Sequence, residues 1–296
     1  MTAAQGKSLQ KEALERLLKN KIAVASAITI VIVCLIGALA PVLSPYAFDE
    51  QFLDRVLVPP NSQHWLGTDS LGRDMLSRLI YGARISMAVG VVTAILSLLI
   101  GTVYGAISGW FGGWADGVLM RSIDILDSIP SIVLLILVKL VFESFDIIDN
   151  PEFKALTGML IALSLTSWVS LARVVRGQVL QVKQMAYVES ARAMGASSLR
   201  MVVQHILPNI VGPVIVLLTF QIPSNILAES FLSFLGLGLQ PPYSSWGVLA
   251  NDGWRSLSTY PHLMISPGVA IFVAMLAFNL LGDGLRDAFD PQMRGR

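Results

Sequence analysis

The run IAVASAITIVIVCLIGALAPVL, Ile22 to Leu43, contains no charged residue. Crossing a hydrocarbon layer of ~30 Å takes about 20 mostly apolar residues at ~1.5 Å each. This run is long enough. A second, Ile85 to Gly109, is equally free of charge, and a third, Asp116 to Phe142, is polar at its start and apolar from Ile129. Ala155 to Ala172, Ile210 to Ala228 and Leu263 to Leu281 complete the set. The predicted fold class is all-α, a polytopic membrane protein with about six transmembrane helices.

Composition agrees. Apolar residues make up 54% of the 296 and charged residues 14%; a soluble domain carries about 25% charged residues to wet its surface. Much of this exterior must therefore face something other than water. The net charge of +1 gives no general attraction to nucleic acid. Cys34 is the only cysteine, which excludes an intrachain disulfide. Ala38-Leu39-Ala40 imitates a signal-peptidase site, but Pro41 and five further spans follow it, so the first run reads as a retained helix.

Lysine and arginine set the orientation. Fourteen of the 21 lie in residues 1–21, at Arg121, in residues 173–208 or in the tail. Six lie in the alternate segments, and Lys139 is inside the third span. Both termini are thus expected in the cytoplasm. The organisation that follows is a cytoplasmic amphipathic segment 1–21, a first helix 22–43 and an external loop 44–84. A core transmembrane domain 85–285 with a cytoplasmic loop 173–208 comes next, then a cytoplasmic tail 286–296.

Several features between and within the spans read as architecture. Leu14, Leu17 and Leu18 share one helical face, suited to the inner membrane surface. Met75, Leu76, Leu79 and Ile80 give the outer loop a helix-like end. Gly101, Gly105 and Gly109 recur every four residues, the spacing that lets a neighbouring helix pack closely in lipid. The stretch SFLSFLGLGL, 230–239, is too short to span and reads as a re-entrant or interfacial part of an outer vestibule. Tyr243, Trp246, Trp254 and Tyr260 are expected at headgroup level.

Catalytic patterns are missing. The three histidines, His64, His205 and His262, are far apart, and no HExxH or Cys/His cluster occurs, so no metal site is expected. Ser108 has no histidine in a span to act as its base. MTAAQGKS at the start has Met1 where a phosphate-binding loop needs its first glycine. Intramembrane charges are the remaining candidates. Arg121 and Asp124, three apart, are expected to neutralise each other, and Lys139 has Glu143 one turn away. An ion-gradient-driven secondary transporter or channel would need carboxylates facing a cavity; Asp124 and Asp127 are the candidates, and no internal repeat accompanies them.

The most specific segment is 173–208. Lys183 to Met194 reads as a short helix with Gly195 as its left-handed cap. Ser197 opens a second helix, Ser198 to Ile206, with Leu199, Val202, Val203 and Ile206 on one face and Pro208 as its stop. Two short helices joined by a tight elbow, anchored by spans at both ends, make an element that a partner can push.

Here the chain resembles a known family. Glu189-Ser190-Ala191, Gly195, His205 and Leu207-Pro208 are similar to the EAA motif of ABC-importer permeases, with Ser190 in place of alanine and His205 in place of isoleucine. Trp65-Leu66-Gly67-Thr68-Asp69 with Gly72-Arg73-Asp74, Glu229 to Gly236, Gln240-Pro241-Pro242 with Ser245-Trp246-Gly247, and Gly282 to Asp287 with Asp290-Pro291 extend the likeness over nearly the whole chain. Together they resemble the C-type permease of oligopeptide and dipeptide importers.

The resemblance implies a type I permease fold in a bacterial inner membrane, and a pathway for peptides shared with a second permease subunit. It implies two cytoplasmic ATP-binding subunits that use ATP and Mg, with no cofactor bound by this chain. It also implies a solute-binding protein on the far side. Glu189, Ser190, Ala191, Gly195, His205, Leu207 and Pro208 would form the surface that couples to the ATPases.

Overall fold

The computed structural model describes residues 9–145 and 148–289. Lys7, Asp290, Pro291, Arg294 and Arg296, which enter the charge balance and the family likeness, lie outside them. Within the described residues the chain is helical, with one isolated bridge between Thr68 and Asp74.

Helix α1, Leu9–Lys19, ends at Asn20, whose side chain accepts the backbone N–H groups of Ile22 (3.1 Å) and Ala23 (3.2 Å) and so starts α2, Lys21–Ala38. That cap satisfies donors which the first turn of any helix leaves orphaned. A short α3, Ala40–Leu43, follows. Leu14 and Leu18 of α1 are exposed and Ala13 is buried, while Leu17, expected on the same face as Leu14 and Leu18, is half-buried against Gly284 of α12.

Helix α4, Met75–Phe111, has 37 residues, about 55 Å of rise. The helical end expected for the outer loop and the second span are therefore one rod, which outreaches the hydrocarbon layer. Asp74 caps it by accepting from the Ser77 N–H at 2.8 Å. Gly112, at φ 65°, ends it.

The segment expected as the third span is broken into two helices. Helices α5, Gly113–Asp127, and α6, Ser131–Ser144, meet at 90° across Ser128 to Pro130. Proline lacks the N–H that a continuing helix needs and restricts the residue before it, so the chain breaks there. Lys139 lies in α6 and pairs with Glu143 at 2.8 Å.

Helix α7, Pro151–Lys183, runs eleven residues beyond the predicted end of the fourth span. It packs on α4 along the glycine stripe. A Cβ on Gly101 would lie 2.7 Å from Leu171 Cδ2, on Gly105 2.9 Å from Val175 Cβ, and on Gly109 2.8 Å from Val179 Cβ. Three glycines four apart thus meet three side chains four apart, and the two backbones approach more closely than any larger residue allows.

After α8, Ala186–Ala193, and the single turn α9, Ser198–Arg200, the helix widens into a π turn, Met201–Ile206, and continues as α10, Leu207–Leu232. Pro208 does not stop the helix as expected. It occupies the first turn of α10, where a proline costs least, and the wider winding accommodates it: the Leu207 N–H reaches back five residues to the Val202 carbonyl. The winding also rotates the expected apolar face. Met201 and Ile206 are buried, while Leu199 and Val203 are exposed.

The fifth span likewise exceeds its expected end. Helix α10 runs to Leu232, and a second π turn, Ser233–Leu237, carries it on until Gly236 turns it at φ 82°. Most of SFLSFLGLGL is therefore the end of a span rather than a separate re-entrant piece. The element packed back into the bundle is α11, Trp246–Trp254, which leads to α12, His262–Phe289. Trp246 is not a headgroup anchor: it is buried, and its indole N–H donates to the Leu79 carbonyl at 3.2 Å.

The bundle has two distinct ends. Gly212 of α10 faces Phe289 of α12, Gly284 faces Leu17 of α1, and Trp110 of α4 meets Lys183 of α7, so the elbow 184–206 shares an end with α1. The loop 44–74, α11 and the start of α12 form the other end, where Met75, Leu249 and Leu263 are packed together.

Candidate functional site

At the elbow end, α7 stops in a tight turn in which the Gln184 and Met185 N–H groups bond back to Gln181 and Val182 at 3.3 and 3.0 Å. Helix α8 leaves from Met185. Val188 and Ala191 are buried in a cluster with Val179, Val182, Met201 and Ile206. Glu189 and Ser190, on the adjoining faces, are exposed. The Ser190 hydroxyl donates to the Ala186 carbonyl at 2.9 Å, so it presents a small, internally satisfied surface.

The C-terminus of α8 has full Schellman geometry. Gly195, at φ 85°, donates to the Arg192 carbonyl at 3.0 Å, and Ala196 donates to Ala191 at 3.2 Å. Ser197 Oγ then accepts the Arg200 N–H at 3.4 Å. The elbow is thus fixed by backbone bonds on both sides of a residue that only glycine occupies comfortably. His205 lies in the π turn and its carbonyl accepts from Asn209 Nδ2 at 2.7 Å. Leu207 packs against the cluster, and Pro208 is exposed.

The outward side of this elbow is apolar. Met194 is 82% exposed and Leu199 75%, with Met185, Tyr187 and Val203 exposed beside them. A cleft of about 260 Å³ lies next to them, lined by Leu180, Lys183, Gln184, Val188, Glu189 and Arg192. An apolar crest beside a cleft carrying both charge signs is a surface built to be covered.

The charges of α5 are arranged differently from the expectation. Asp124 accepts from Arg173 of α7 at 3.1 Å, not from Arg121, and Asp127 pairs with the same guanidinium at 2.5 Å. A guanidinium on the neighbouring helix reaches two carboxylates one turn apart, which Arg121 on their own helix does not. Asp116 is held by Arg176 through two bonds of 2.5 and 2.6 Å. Arg121 lies on another face, with Trp114, Val118 and Ile125. In the sequence Arg173 and Arg176 read only as loop charges; with α7 running on to Lys183, they become helix-to-helix ties.

At the other end, Asp69 organises the outer loop. Its Oδ1 accepts the Leu71 and Arg73 N–H groups at 2.8 and 2.9 Å, and its Oδ2 accepts from Arg73 Nε at 2.7 Å and Arg78 Nη1 at 2.5 Å. Arg78 is 1% exposed and also reaches Asp252 of α11 at 3.2 Å. The loop, α4 and α11 are riveted together by this one cluster. His64 lies with Nδ1 2.9 Å from Asp74, yet its ring is enclosed by Tyr46 and Phe52, and Asp74 is already occupied as a helix cap. The pair is structural.

Comparison with known proteins agrees with this geometry. The family model of the binding-protein-dependent transport system inner membrane component matches residues 101–295, and that of the N-terminal transmembrane domain of oligopeptide transport permease C matches residues 8–60. The chain is 42% identical to the oligopeptide transport system permease protein OppC of Bacillus subtilis, over 97% of this chain and 91% of the relative. It is also 42% identical to the dipeptide transport system permease protein DppC of the same organism, over 97% and 87%. Among solved structures, the MetNI methionine ABC transporter in an inward-facing form aligns with 72% of this chain and 97% of its own at a TM-score of 0.57 and 18% identity, a likeness of fold. With its third apolar segment broken into two helices, its glycine-capped elbow and these matches over nearly its whole length, the chain belongs to the family of binding-protein-dependent transport system inner membrane components.

Proposed function

We propose that this chain is the non-catalytic permease subunit of an ATP-driven importer for peptides of the dipeptide or oligopeptide class. It lies in the bacterial inner membrane with both termini and the elbow in the cytoplasm. It forms the pathway with a second permease subunit. Two ATP-binding subunits, which use ATP and Mg, receive the crest formed by Met185, Met194 and Leu199 and the cleft beside Glu189. A solute-binding protein delivers peptide to the riveted end. Closure of the ATPases on nucleotide pushes the elbow, and α7 and α10, which flank it, move between two packings of the bundle.

The observation that carries this reading is the elbow itself: a rigid, glycine-capped element with an uncovered apolar crest, joined without a break to one long helix and by a tight turn to another. The ion-driven alternative loses support, because Asp124 and Asp127 are both engaged by Arg173. The test is to purify the assembly from membranes and reconstitute it. Co-purifying ATPase subunits and peptide uptake that depends on both ATP and a binding protein are expected. Uptake by this chain without a nucleotide-hydrolysing companion, or labelling of a Ser190→Cys variant from the outside of the cell, would overturn it.

A further inference from the structure

Trp110, in the last turn of α4, is 6% exposed. Two cations, one at the end of α7 and one on α8, converge on it. Lys183, the last residue of α7, donates to the Trp110 carbonyl at 2.5 Å and stands 5.4 Å from the indole centroid. The Arg192 guanidinium of α8 lies 5.1 Å from the same centroid. Val188 and Ala191 bring the buried side of α8 into the apolar cluster to which the indole belongs. The other main neighbours of α8 are α7 and the π turn, the segments that flank it in the chain. The indole gives α8 a direct side-chain contact with α4.

The chemistry suits a moving joint. A cation over an aromatic face is attracted by the ring quadrupole across a range of positions, unlike a hydrogen bond, which fails when tilted. Arg192 can slide on the indole while α8 rocks, and Lys183 holds the end of α4 to the end of α7 at the same point. One residue beyond Trp110 towards the bundle, Gly109 opens the seam in which α4 and α7 are locked.

We propose that Trp110 is a positioning residue for energy coupling: displacement of α8 reaches α4 through the Arg192–indole contact. This inference rests on the permease reading above.

The experiment is reconstitution of the complete assembly in liposomes, measuring peptide taken up per ATP hydrolysed. Trp110→Leu and Arg192→Gln are each expected to lower that ratio about three- to tenfold while hydrolysis continues, the scale set by losing one contact between an exposed cation and a buried indole. Trp110→Phe, which keeps an aromatic face, should recover roughly half the wild-type ratio or more. The double variant should fall no further than Trp110→Leu alone, because that change already removes the Arg192 contact. Arg192 also lines the cleft proposed to receive the ATPase, and the double variant separates that effect; Trp110→Met, which keeps bulk without an aromatic face and leaves the cleft intact, carries the test if Trp110→Leu fails to assemble. An unchanged ratio in Arg192→Gln, or losses that multiply in the double variant, would overturn the proposal. A wild-type assembly that hydrolyses no ATP would instead overturn the permease reading beneath it.

Discussion

Ser86 Oγ of α4 donates to Glu229 Oε2 of α10 at 2.9 Å, in a place with no measurable exposure. The other carboxylate oxygen accepts from Ser233 at 2.7 Å. Each serine in turn receives a donor from the α11 side. The Trp246 N–H bonds to Ser86 at 3.2 Å, and Ser245 bonds to Ser233 at 3.3 Å while accepting the Val248 N–H at 3.3 Å. The N-terminal turn of α11, where helix N–H groups are unpaired and the dipole is positive, is thereby relayed through hydroxyls onto one acidic side chain. These partners are all neutral, so the carboxyl fastens α11 to α4 and α10 through hydrogen bonds to serine rather than through an ion pair.

Removing that acceptor should therefore cost more than removing an exposed acid. Glu229→Ala leaves the hydroxyls of Ser86, Ser230 and Ser233 without their acceptor in a closed site, a loss of several kcal/mol at the usual ~1–3 kcal/mol for each buried unsatisfied group. Glu229→Gln keeps one acceptor and turns the other into a donor facing a donor, and should fall between wild type and alanine. Thermal unfolding of the purified protein checks the order. Equal midpoints for the alanine and wild-type proteins would show that the relay adds nothing to stability.

The elbow gives a different prediction, one about coupling. Gly195 adopts φ 85°, and a Cβ placed there would meet nothing within 4 Å, so space is free and only the backbone resists substitution. Gly195→Val forces a β-branched residue into the left-handed region, at roughly 1–2 kcal/mol or more, and weakens both bonds of the Schellman cap. ATP hydrolysis by the assembly should persist while uptake falls severalfold. Gly195→Asn, which tolerates that region better, should be milder. Normal uptake and normal ATPase stimulation in the valine variant would remove the cap from the coupling path.

The ion pairs of α5 should matter little to transport. The Arg173 pairs with Asp124 and Asp127 are 42–57% exposed on both sides, a setting in which such pairs contribute about 0–1 kcal/mol. Asp124→Asn with Asp127→Asn should leave peptide uptake within about twofold of wild type, consistent with so small a term. Complete loss of uptake with the assembly still intact would point to ion-driven transport.

The elements legible in the sequence are those set by local rules. Apolar length locates the spans, the period of four marks the seam, and Gly195 marks the cap, because each depends on a few neighbouring residues. What cannot be read there depends on contacts between distant segments. Arg173 and Arg176 resemble loop charges because nothing near them says that α7 continues to Lys183. Pro208 resembles a stop because a π turn that absorbs it leaves no local signature. Asp124 stands three residues from Arg121, the obvious partner by spacing, and finds its actual partner on another helix. Glu229 stands out in the sequence only as part of a family-like run; its role emerges once Ser86, Ser233 and Ser245 come together from three elements. An acidic residue beside a serine in an apolar stretch is the one available hint.

The seam itself yields the sharpest contrast. Gly105 packs where a Cβ would lie 2.9 Å from Val175 Cβ and 3.0 Å from the Arg176 N, so Gly105→Ala must push two helix backbones apart over the length that Gly101 and Gly109 also define. Overpacking of this kind costs typically about 1–3 kcal/mol, and Gly105→Leu more. Gly117 of α5 has the same residue type in the same membrane but nothing within 4 Å, and Gly117→Ala should gain slightly from helix propensity, by up to about 1 kcal/mol. Folded, detergent-stable protein recovered from membranes should therefore drop for Gly105→Ala, nearly vanish for Gly105→Leu, and hold or rise for Gly117→Ala. If Gly105→Leu accumulates and unfolds like wild type, the close approach of α4 and α7 is not what holds this bundle together.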